Sequence, residues 1–480
     1  MRLPGFIGPS YTLSSVNVEC QRCVNMFPEI DEAGTGKDGE VASLASTPGL
    51  VSFATSSFGG AVRCLYRASN GTFYAAIGAR LFSVSSAGVL TSLHTLLTSS
   101  GVVSMADNGT TLATVDGVNG YATTMSTGVT VTITDPDWHG ANFVQFQDGY
   151  FIFNWPATGK FYISSLYGTD IDPLDFATAE SSPDPIVGLL SDHRELWLFG
   201  SQSTEVWFNS GNADFPFSRI EGAKLEHGCA SGASVAKLNN TVFWLGIDER
   251  GAGLVWMAEG HAPQRVSTQA IERVLQQLTE TQLSGATAYT YQSNGHGFYV
   301  LNVPGLTSTW VYDVSTRLWH ERDYTESDTT RTRHRGEWHA FVFGKHFVGD
   351  YETATIYEFS DTTYTDAGAI ITRERITPHV SNGLKRVFHR AAQLDMETGV
   401  GIDGAGQGDD PQVMLRWSDN GGHSWGNEHW MSIGKIGERT KRPIWRRLGC
   451  PRDRVYHVKI TDPVKVRLLG FELDVEAGAS

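Results

Sequence analysis

A nine-residue stretch near the C-terminus is the first place where residue types and spacing suggest a chemistry. The sequence WSDNGGHSW runs from Trp417 to Trp425. Its residues follow the spacing of an Asp-box, a hairpin turn whose side chains hydrogen-bond the backbone above a packed tryptophan. The motif positions are Ser418, Asn420, Gly422, Ser424 and Trp425. Because hairpins of this kind occur in enzymes that cleave sugars, the stretch raises the hypothesis of glycoside hydrolysis.

Glycoside hydrolysis by a sialidase-like protein needs more than this turn. Such an enzyme requires a nucleophilic tyrosine with a carboxylate partner, a general acid, and a set of arginines that grip the substrate carboxylate. No such arginine set can be assigned to the strand ends, and Asn420 occupies the usual aspartate position. Asn makes similar turn hydrogen bonds. We therefore predict an architectural turn in which Trp417 and Trp425 pack and hold no ligand. A glycan-binding or glycan-cleaving β-propeller is kept as the alternative.

Other residue sets of catalytic or metal-binding type are incomplete. Cys20 and Cys23 form a lone CxxC pair, whereas a structural zinc takes four ligands, and no second pair follows at a finger-like spacing. His334, His339 and His346 lie close in sequence, but the spacing of the first two places them on opposite faces of a strand. The sequence contains no GxSxG, P-loop or HExxH motif. It predicts no enzyme, no bound metal and no cofactor.

A strongly basic segment follows the turn. Residues 434–460 contain nine Lys or Arg against two acidic residues. The candidate interface residues are Arg442, Arg446, Arg447, Arg452 and Arg454. These side chains could bind an acidic partner or DNA phosphates. Alternatively, they belong to a solvated strand pair whose compensating acids lie nearby in space. Both interpretations stay open at the level of sequence.

The elements that must position these residues are short strands. Asn-Gly, Asp-Gly and similar turn residues open successive units of two β-rich runs. The units begin at Asn70, Asn108, Asp148, Asp192, Asn239, Asn294 and Gly344. Their spacing of about 40–50 residues is the period of a propeller blade. The pattern predicts an all-β fold with a β-propeller of about six or seven blades. A stack of β-sandwiches would produce the same pattern. So would a chain with many ordinary β-hairpins and no true repeat.

The two flanks of the repeats differ from them. Residues 1–50 are rich in Pro, Ser and Asn and are predicted to form an irregular N-terminal arm, followed by the propeller over residues 51–365. Residues 366–480 are predicted to form an additional C-terminal antiparallel β domain. Within it, the glycine-rich stretch from Gly399 to Asp410 indicates a flexible loop tip that either docks a partner or is a plain surface loop. One helix, from Ser267 to Leu283, is predicted from the spacing of its apolar residues.

Composition limits the classes of function. The chain has 480 residues and a formal net charge of −15. This charge is not that of a DNA-grasping protein, although DNA could slide past it without sticking. The five cysteines are an odd and sparse set, which favours a reducing cytoplasm. No apolar run has the length of a membrane-spanning helix.

Several sequence blocks together resemble one phage protein family. The most specific block is QVMLRWSDNGGHSWGNEHWMSIGKIGERTKRPIWRRLG, from Gln412 to Gly449. Further blocks are CQRCVNMFPE from Cys20, STPGL from Ser46, SMADNGTTLATVDG from Ser104 and HAFVFGKHFVGDYETATIYEF from His339. Spread over the whole chain, they resemble the packaged-DNA stabilisation proteins, the tail hub or nozzle of short-tailed bacteriophages.

This resemblance implies a structural virion protein without catalysis. Members of the family form a homohexameric ring below the portal and its adaptor, the head-to-tail connector. They extend the channel for double-stranded DNA, retain packaged DNA until ejection, and anchor tail spikes or fibres and a tail plug or needle. The resemblance implies these partners here, and a place in the virion tail after assembly in the bacterial host cytoplasm. A host-derived, monomeric binding scaffold is a further alternative.

Overall fold

Strands dominate the computed structural model, which describes residues 1–31, 42–180, 182–247, 253–383, 385–404 and 406–478. The first strands are β1 (Tyr11–Thr12), β2 (Cys20–Val24), β3 (Met26–Ile30), β4 (Ala42–Ser46) and β5 (Gly49–Thr55). Of these, β5 joins a β-propeller, whereas β2, β3 and β4 join a β-sandwich. The N-terminal residues are therefore shared between two bodies.

Six units of four antiparallel strands follow β5 along the chain. Blade 1 contains β6 (Val62–Arg67), β7 (Phe73–Ile77), β8 (Arg80–Val84) and β9 (Leu90–Thr95), and blade 2 contains β10 (Ser104–Asp107), β11 (Thr111–Val115), β12 (Gly120–Thr124) and β13 (Thr130–Thr132). Blade 3 contains β14 (Val144–Gln147), β15 (Tyr150–Asn154), β16 (Lys160–Ser164) and β17 (Ile171–Thr178), and blade 4 contains β18 (Ile186–Asp192), β19 (Glu195–Gly200), β20 (Thr204–Asn209) and β21 (Phe217–Leu225). Blade 5 contains β22 (Ala236–Leu238), β23 (Thr241–Ile247), β24 (Gly253–Glu259) and β25 (Ala262–Arg265), and blade 6 contains β26 (Thr287–Ser293), β27 (His296–Asn302), β28 (Thr309–Asp313) and β29 (Leu318–Thr325).

Blade 7 combines two distant parts of the chain. After β30 (Arg331–Arg333), it contains β31 (Gly336–Val342), β32 (Lys345–Asp350) and β33 (Thr355–Ser360), and β34 (Thr365–Asp366) and β35 (Ala369–Ile370) extend its sheet. Its fourth strand is β5, which pairs with β33 from Thr55↔Thr355 to Gly49↔Ser360. Around the ring, the first strand of one blade contacts the first strand of the next, and β31 of blade 7 contacts β6 of blade 1. Between blades 4 and 5, the 3-10 turn Gly232–Ser234 beside β22 makes this contact. The propeller therefore has seven blades, and the predicted fold class is confirmed.

The turn pairs of the sequence repeat lie between the first and second strands of each blade. There the chain takes positive φ angles, for example 50° and 96° at Asp148 and Gly149, and 52° and 83° at Asn294 and Gly295. Gly and Asn adopt this left-handed conformation at low cost, and tight turns of this kind match the twist of two paired strands. Because each blade contains one such turn, the number of predicted units equals the number of blades.

The predicted helix is interrupted. The structure has α1 (Gln269–Leu275) and α2 (Glu280–Ser284) between blades 5 and 6. Thr279 starts the second helix through a capping box with Gln282. The capping box begins a second helix inside the segment that the apolar spacing predicted to be one helix. Ile271 and Leu275 are buried in the core shared by blades 5 and 6, as that spacing requires.

The C-terminal β domain is a sandwich of two sheets. Its strands are β36 (Arg373–Ile376), β37 (Val380–Ser381), β38 (Val387–Met396), β39 (Gln412–Ser418), β40 (His429–Ser432), β41 (Ile444–Arg446), β42 (Asp453–Ile460) and β43 (Arg467–Ala477). One sheet has the order β3-β4-β43-β38-β41, and the other has the order β2-β36-β42-β39-β40. Between them lies a core that includes Trp445, Tyr456 and Phe471.

The N-terminal strands belong to this sandwich, so they are not the irregular arm that their composition predicted. β4 pairs with β43, and β2 pairs with β36. β2 also pairs in parallel with β29, the outermost strand of blade 6, at Val24↔Glu321. One 12-stranded sheet therefore runs from blade 6 into the sandwich. Local patterns missed it because the pairing partners lie hundreds of residues apart.

Candidate interface residues and the joint between the domains

The WSDNGGHSW stretch forms a turn that its own side chains hold. Ser418 Oγ accepts a hydrogen bond from the Gly422 amide at 2.8 Å, and its hydroxyl donates to Asn420 Oδ1 at 2.8 Å. Asn420 Oδ1 also accepts from the Ser424 amide at 3.0 Å, while Asn420 Nδ2 donates to Ser424 Oγ at 2.8 Å. The polar side chains of the motif thus bind one another and the turn backbone, as an architectural role requires.

The two tryptophans of this stretch pack in different places. Trp417, in β39, lies at the edge of the sandwich core and stacks on His429 with ring centroids 4.7 Å apart. Trp425 packs against a small cluster that contains Cys20 and Val455. Each half-buried ring fills a gap between elements, which is a common use of a large aromatic side chain.

Arg454 is not an interface residue, in contrast to the prediction. Its side chain is 1% exposed, and its guanidinium makes a two-point ion pair with Asp419 at 2.6 and 2.8 Å. It also donates to the Leu448 carbonyl at 2.5 Å and lies over the Trp417 ring, 5.1 Å from its centroid. A buried arginine with a two-point carboxylate partner is a structural group. Arg454 therefore anchors the Asp-box turn to β42.

The other arginines of the basic run lie at one edge of the sandwich. Exposed side chains are found at Arg442, Arg446, Arg447 and Arg452. Arg446 belongs to the edge strand β41, opposite Ala391 of β38, and the Arg447 amide donates to the Arg390 carbonyl at 2.9 Å. Within the described part of the chain, Arg442, Arg446 and Arg447 have no acidic side-chain partner. Among the described residues, these three arginines therefore do not have the nearby compensating acids that the second interpretation of the basic segment requires.

The glycine-rich loop is anchored at its base. The Gly399 amide donates to the Ile433 carbonyl at 3.1 Å. A Cβ at Gly399 would stand 2.8 Å from the backbone of Glu438, and one at Gly401 would stand 2.9 Å from that of Ile436. These two glycines are buried and serve close packing, in contrast to the predicted flexible tip. Residues 402–404 and 406–407 are exposed, and residue 405 lies outside the described residues.

Sequence reasoning missed a network of charges where the propeller meets the sandwich, in which buried carboxylates pair with partly exposed arginines. Arg22 of β2 pairs with Glu321 of β29 at 3.0 and 2.5 Å. Arg331 donates to Asp323 at 2.8 Å and to Glu374 of β36 at 3.2 Å. The network therefore crosses three adjacent strands that come from both domains. The available signal was the dense mixture of charges in HERDYTESDTTRTRHRGE, from His320 to Glu337.

Pairing and burial shift the pKa values in this network. The Glu321 carboxylate raises the pKa of Arg22 above its usual range. Burial alone would raise the pKa of Glu374, but the nearby His457 ring, 3.7 Å away, and the charges of Arg331 and Arg22 lower it below its usual range. Burial raises the pKa of Asp323 to about 6 despite the charge of Arg331. The joint is thus a set of ionised groups that depend on one another.

A second buried arginine, Arg375 of β36, holds the first residues of the chain. Its guanidinium donates to the carbonyls of Phe6 and Gly5, both at 2.6 Å, and to that of Pro9 at 2.9 Å. It is fully buried, and desolvation lowers its pKa to about 10. Arg375 therefore donates hydrogen bonds to carbonyl groups of the N-terminal segment that no strand pairing satisfies.

Cys20, His379 and Asp453 lie together but do not form a nucleophilic site. His379 Nδ1 binds Asp453 Oδ2 at 2.8 Å, and His379 Nε2 binds the Val16 carbonyl at 2.8 Å. Since both ring nitrogens face oxygen acceptors, both carry protons, and neither can act as a base toward Cys20 Sγ at 3.8 Å. Contacts with Cys20, Asp453 and Val16 raise the pKa of His379 to about 9. The imidazolium ties the N-terminal loop to β42.

Of the three histidines that lie close in sequence, two form a close pair. His339 Nε2 and His346 Nδ1 are 2.9 Å apart and share a hydrogen bond. Burial lowers the pKa of His339 to about 3, so the pair is neutral. Among the described residues, no group of three or more His, Cys, Asp or Glu side chains has a metal-binding arrangement. A cavity of about 340 Å³ lies near this pair between blade 6 and the sandwich, lined by side chains that include Phe27, Tyr291 and His296.

A seven-bladed propeller joined to a β-sandwich by a continuous sheet defines an all-β protein of two domains. The family description "bacteriophage P22 Gp10, β-propeller" matches residues 7–364, and "bacteriophage P22 Gp10, β-sandwich" matches residues 372–476. The chain belongs to the bacteriophage P22 Gp10 family, and it is a structural protein of a phage tail. The resemblance to the tail hub family of short-tailed phages is confirmed.

Solved structures with a similar fold are distant in sequence. The WD40 domain of Neurospora crassa Pan2 is 9% identical, with a TM-score of 0.42, over 65% of this chain and 95% of that chain. The WD40 propeller domain of Doa1 is 11% identical, with a TM-score of 0.39, over 62% and 93%. An extracellular domain of a hybrid two-component system from B. thetaiotaomicron is 10% identical, with a TM-score of 0.42, over 86% and 57%. No curated protein matches the chain. None of the helices in the described residues has the length and apolar character needed to cross a bilayer.

Proposed function

We propose that the protein is the nozzle of a short phage tail, and that six copies close a ring below the portal and its adaptor. The family match over both domains supports this role. The continuous sheet supports it too, because a rigid link between propeller and sandwich suits a wall that must withstand packaged DNA. The protein would act by its shape and its contacts, without catalysis or a cofactor.

The ring would extend the channel for double-stranded DNA and retain the DNA until ejection. Its outer and lower surfaces would anchor tail spikes or fibres and a plug or needle. The net charge of −15 is consistent with a channel that repels DNA phosphates and lets DNA slide. The arginines at the edge strand β41 and the exposed tip of the glycine-rich loop are the candidate contact surfaces. Assembly in the host cytoplasm suits five cysteines that form no disulfide.

Cryo-electron microscopy of the virion tail tests this proposal. The expected result is a six-fold ring of this chain directly below the adaptor, with DNA on its axis and spikes or a plug attached. Single copies at the periphery of the tail, or a ring of another symmetry, would contradict it. A turnover assay on host polysaccharide distinguishes the glycan-cleaving alternative, because the nozzle is expected to release no sugar.

A further inference from the structure

A bulge on the outer edge of blade 3 carries the most exposed large apolar side chain of the described residues, Leu174, which is 79% exposed. Between the pairs Tyr162↔Phe176 and Ser164↔Ile171, β16 has one residue, whereas β17 has the four residues DPLD. Asp172 Oδ1 accepts a hydrogen bond from the Leu174 amide at 2.9 Å and fixes the bulge. No strand of the described residues pairs with the outer side of β17. The bulge therefore projects an apolar side chain from an open sheet edge.

Acidic side chains lie in and beside this bulge, while Lys160, the one basic residue of blade 3, has its Nζ 4.6 Å from the centroid of the Phe176 ring. The members are Asp170, Asp172 and Glu180, which are exposed, and Asp175, which is half-buried. The sequence contains no Lys or Arg between Lys160 and Arg194. In the described part of the chain, none of these carboxylates has an ion-pair partner. Burial and the charge of Asp172 raise the pKa of Asp175, as expected where like charges stand close together.

The edge of the sandwich has the opposite character. The Val387 amide donates to the Pro451 carbonyl at 2.8 Å, which places residues 385–390 beside residues 446–451. This edge carries the exposed cations Lys385, Arg386, Arg446 and Arg447, together with Arg390, which forms an ion pair with Glu476 of β43. Phe388 lies among them and is 49% exposed. It is a basic surface with an apolar centre, and we call it the basic edge.

The two surfaces lie at opposite ends of the molecule. The sandwich is attached to β29 of blade 6 through β2, and its strand β4 leads directly into β5 of blade 7. Because the seven blades follow one another in chain order around a closed ring, blade 3 is three blades away from blade 6 and from blade 7. A surface on the outer edge of blade 3 is thus as far from the sandwich as the propeller allows, and one copy cannot join its own two surfaces.

We infer that the blade 3 bulge of one copy binds the basic edge of the next copy. Every chain supplies both surfaces in equal number, they carry opposite charge, and each has an exposed apolar side chain at its centre. A contact between two different surfaces is head-to-tail, and head-to-tail contacts close a ring when the rotation between copies allows it. This inference rests on the proposed ring and names the contact that would build it.

Charge reversal on each surface tests the contact in the full-length protein. The first variant combines Asp170→Lys with Asp175→Lys and leaves the Asp172 turn intact. The second combines Arg446→Glu with Arg447→Glu. The control combines Glu221→Lys with Glu259→Lys, which makes the same charge change as the first variant at exposed sites of blades 4 and 5. Native mass spectrometry measures assembly of the purified chains, and electron microscopy measures incorporation into tails.

The expected result is that each charge-reversal variant alone loses the ring, whereas the control keeps it. An equimolar mixture of the two variants should recover the ring with alternating composition, three copies of each in a hexamer, because each contact again joins opposite charges. A chain with all four reversals should also recover it. Recovery would show that the single variants fold, since misfolded chains would not assemble in the mixture.

Two outcomes would overturn the inference, and they differ in meaning. If the wild-type chain forms a ring that both variants keep, or that neither the mixture nor the four-fold variant recovers, the contact is wrong while the proposed nozzle stands. If the wild-type chain forms no ring in solution or in tails, the proposed ring fails and the contact fails with it.

Discussion

The blades of the propeller and the joint between propeller and sandwich are stabilised in different ways. Between blades 2 and 3, the core contains apolar side chains such as Phe151, Phe153 and Tyr162, and neighbouring strands are joined by short hairpins. At the joint, Arg22 and Glu374 lie on the paired strands β2 and β36, which are far apart in the chain. Burial of apolar groups is not directional, whereas a buried ion pair requires one partner in one place. The joint therefore gains specificity where local sequence gives none.

The sharpest test of this difference is the substitution Arg375→Met, which keeps much of the side-chain length and removes the charge. We expect a loss of about 3–5 kcal/mol in the free energy of unfolding of the sandwich, because several buried carbonyls lose their donor. Urea unfolding measures the loss, and hydrogen exchange should locate it at residues 5–9 and β2.

The matched control for this variant is Arg446→Met, since Arg446 is exposed and has no acidic partner in the described part of the chain. It should change the free energy of unfolding by less than about 0.5 kcal/mol. Equal effects of the two substitutions would show that the buried arginine is not what fixes the N-terminal segment.

A smaller effect is expected at His379, whose imidazolium ties the N-terminal loop to β42. Its pKa is raised from 6.5 to about 9. A raised pKa in the folded state stabilises the protein fully below the unfolded value, and this stabilisation is lost as the pH rises through about 9. His379→Gln should therefore be less stable than the wild type by about 1–2 kcal/mol at pH 6, with the effect reduced because the site is partly open to solvent.

The measurement for His379 is the difference in urea unfolding between wild type and variant at several pH values. The difference should shrink between pH 6.5 and pH 9 and be smallest above pH 9. A difference that stays constant with pH would contradict a charged histidine and leave only a packing role for this side chain.

The smallest effect is expected within a blade, at the tight turn between β22 and β23. Asn240 has a φ of 67°, a conformation that alanine adopts at a cost. Asn240→Ala should lower the free energy of unfolding of the propeller by about 1 kcal/mol. Asn240→Gly serves as the control and should be close to neutral. A loss as large as that of Arg375→Met would contradict the view that blades depend on many weak, local contacts.

Particular residues show how far the sequence could be read. Asn108 and Asn294 predicted blade turns correctly, because an Asn-Gly pair favours a tight turn through its own local conformation. Ser418 and Asn420 likewise form the hydrogen bonds that their spacing predicts. Arg454 was misplaced, because its partner Asp419 lies 35 positions earlier and only the pairing of β39 with β42 brings the two together. The glycine-rich pattern predicts a flexible position at Gly399, whereas the structure packs it against Glu438, a neighbour that is also remote in sequence.

The blade strands and their repeat, the self-contained Asp-box turn and the family follow from the sequence alone. Each of these depends on alternation, turn conformation or residue identity within a short window. The three-dimensional pairing is needed to see that β5 closes blade 7, that β2 joins the propeller to the sandwich, and that the arginines divide into buried anchors and an exposed edge. These features depend on pairing between residues such as Arg22 and Glu321, 299 positions apart, and such pairings are specified by the packed fold and not by local pattern.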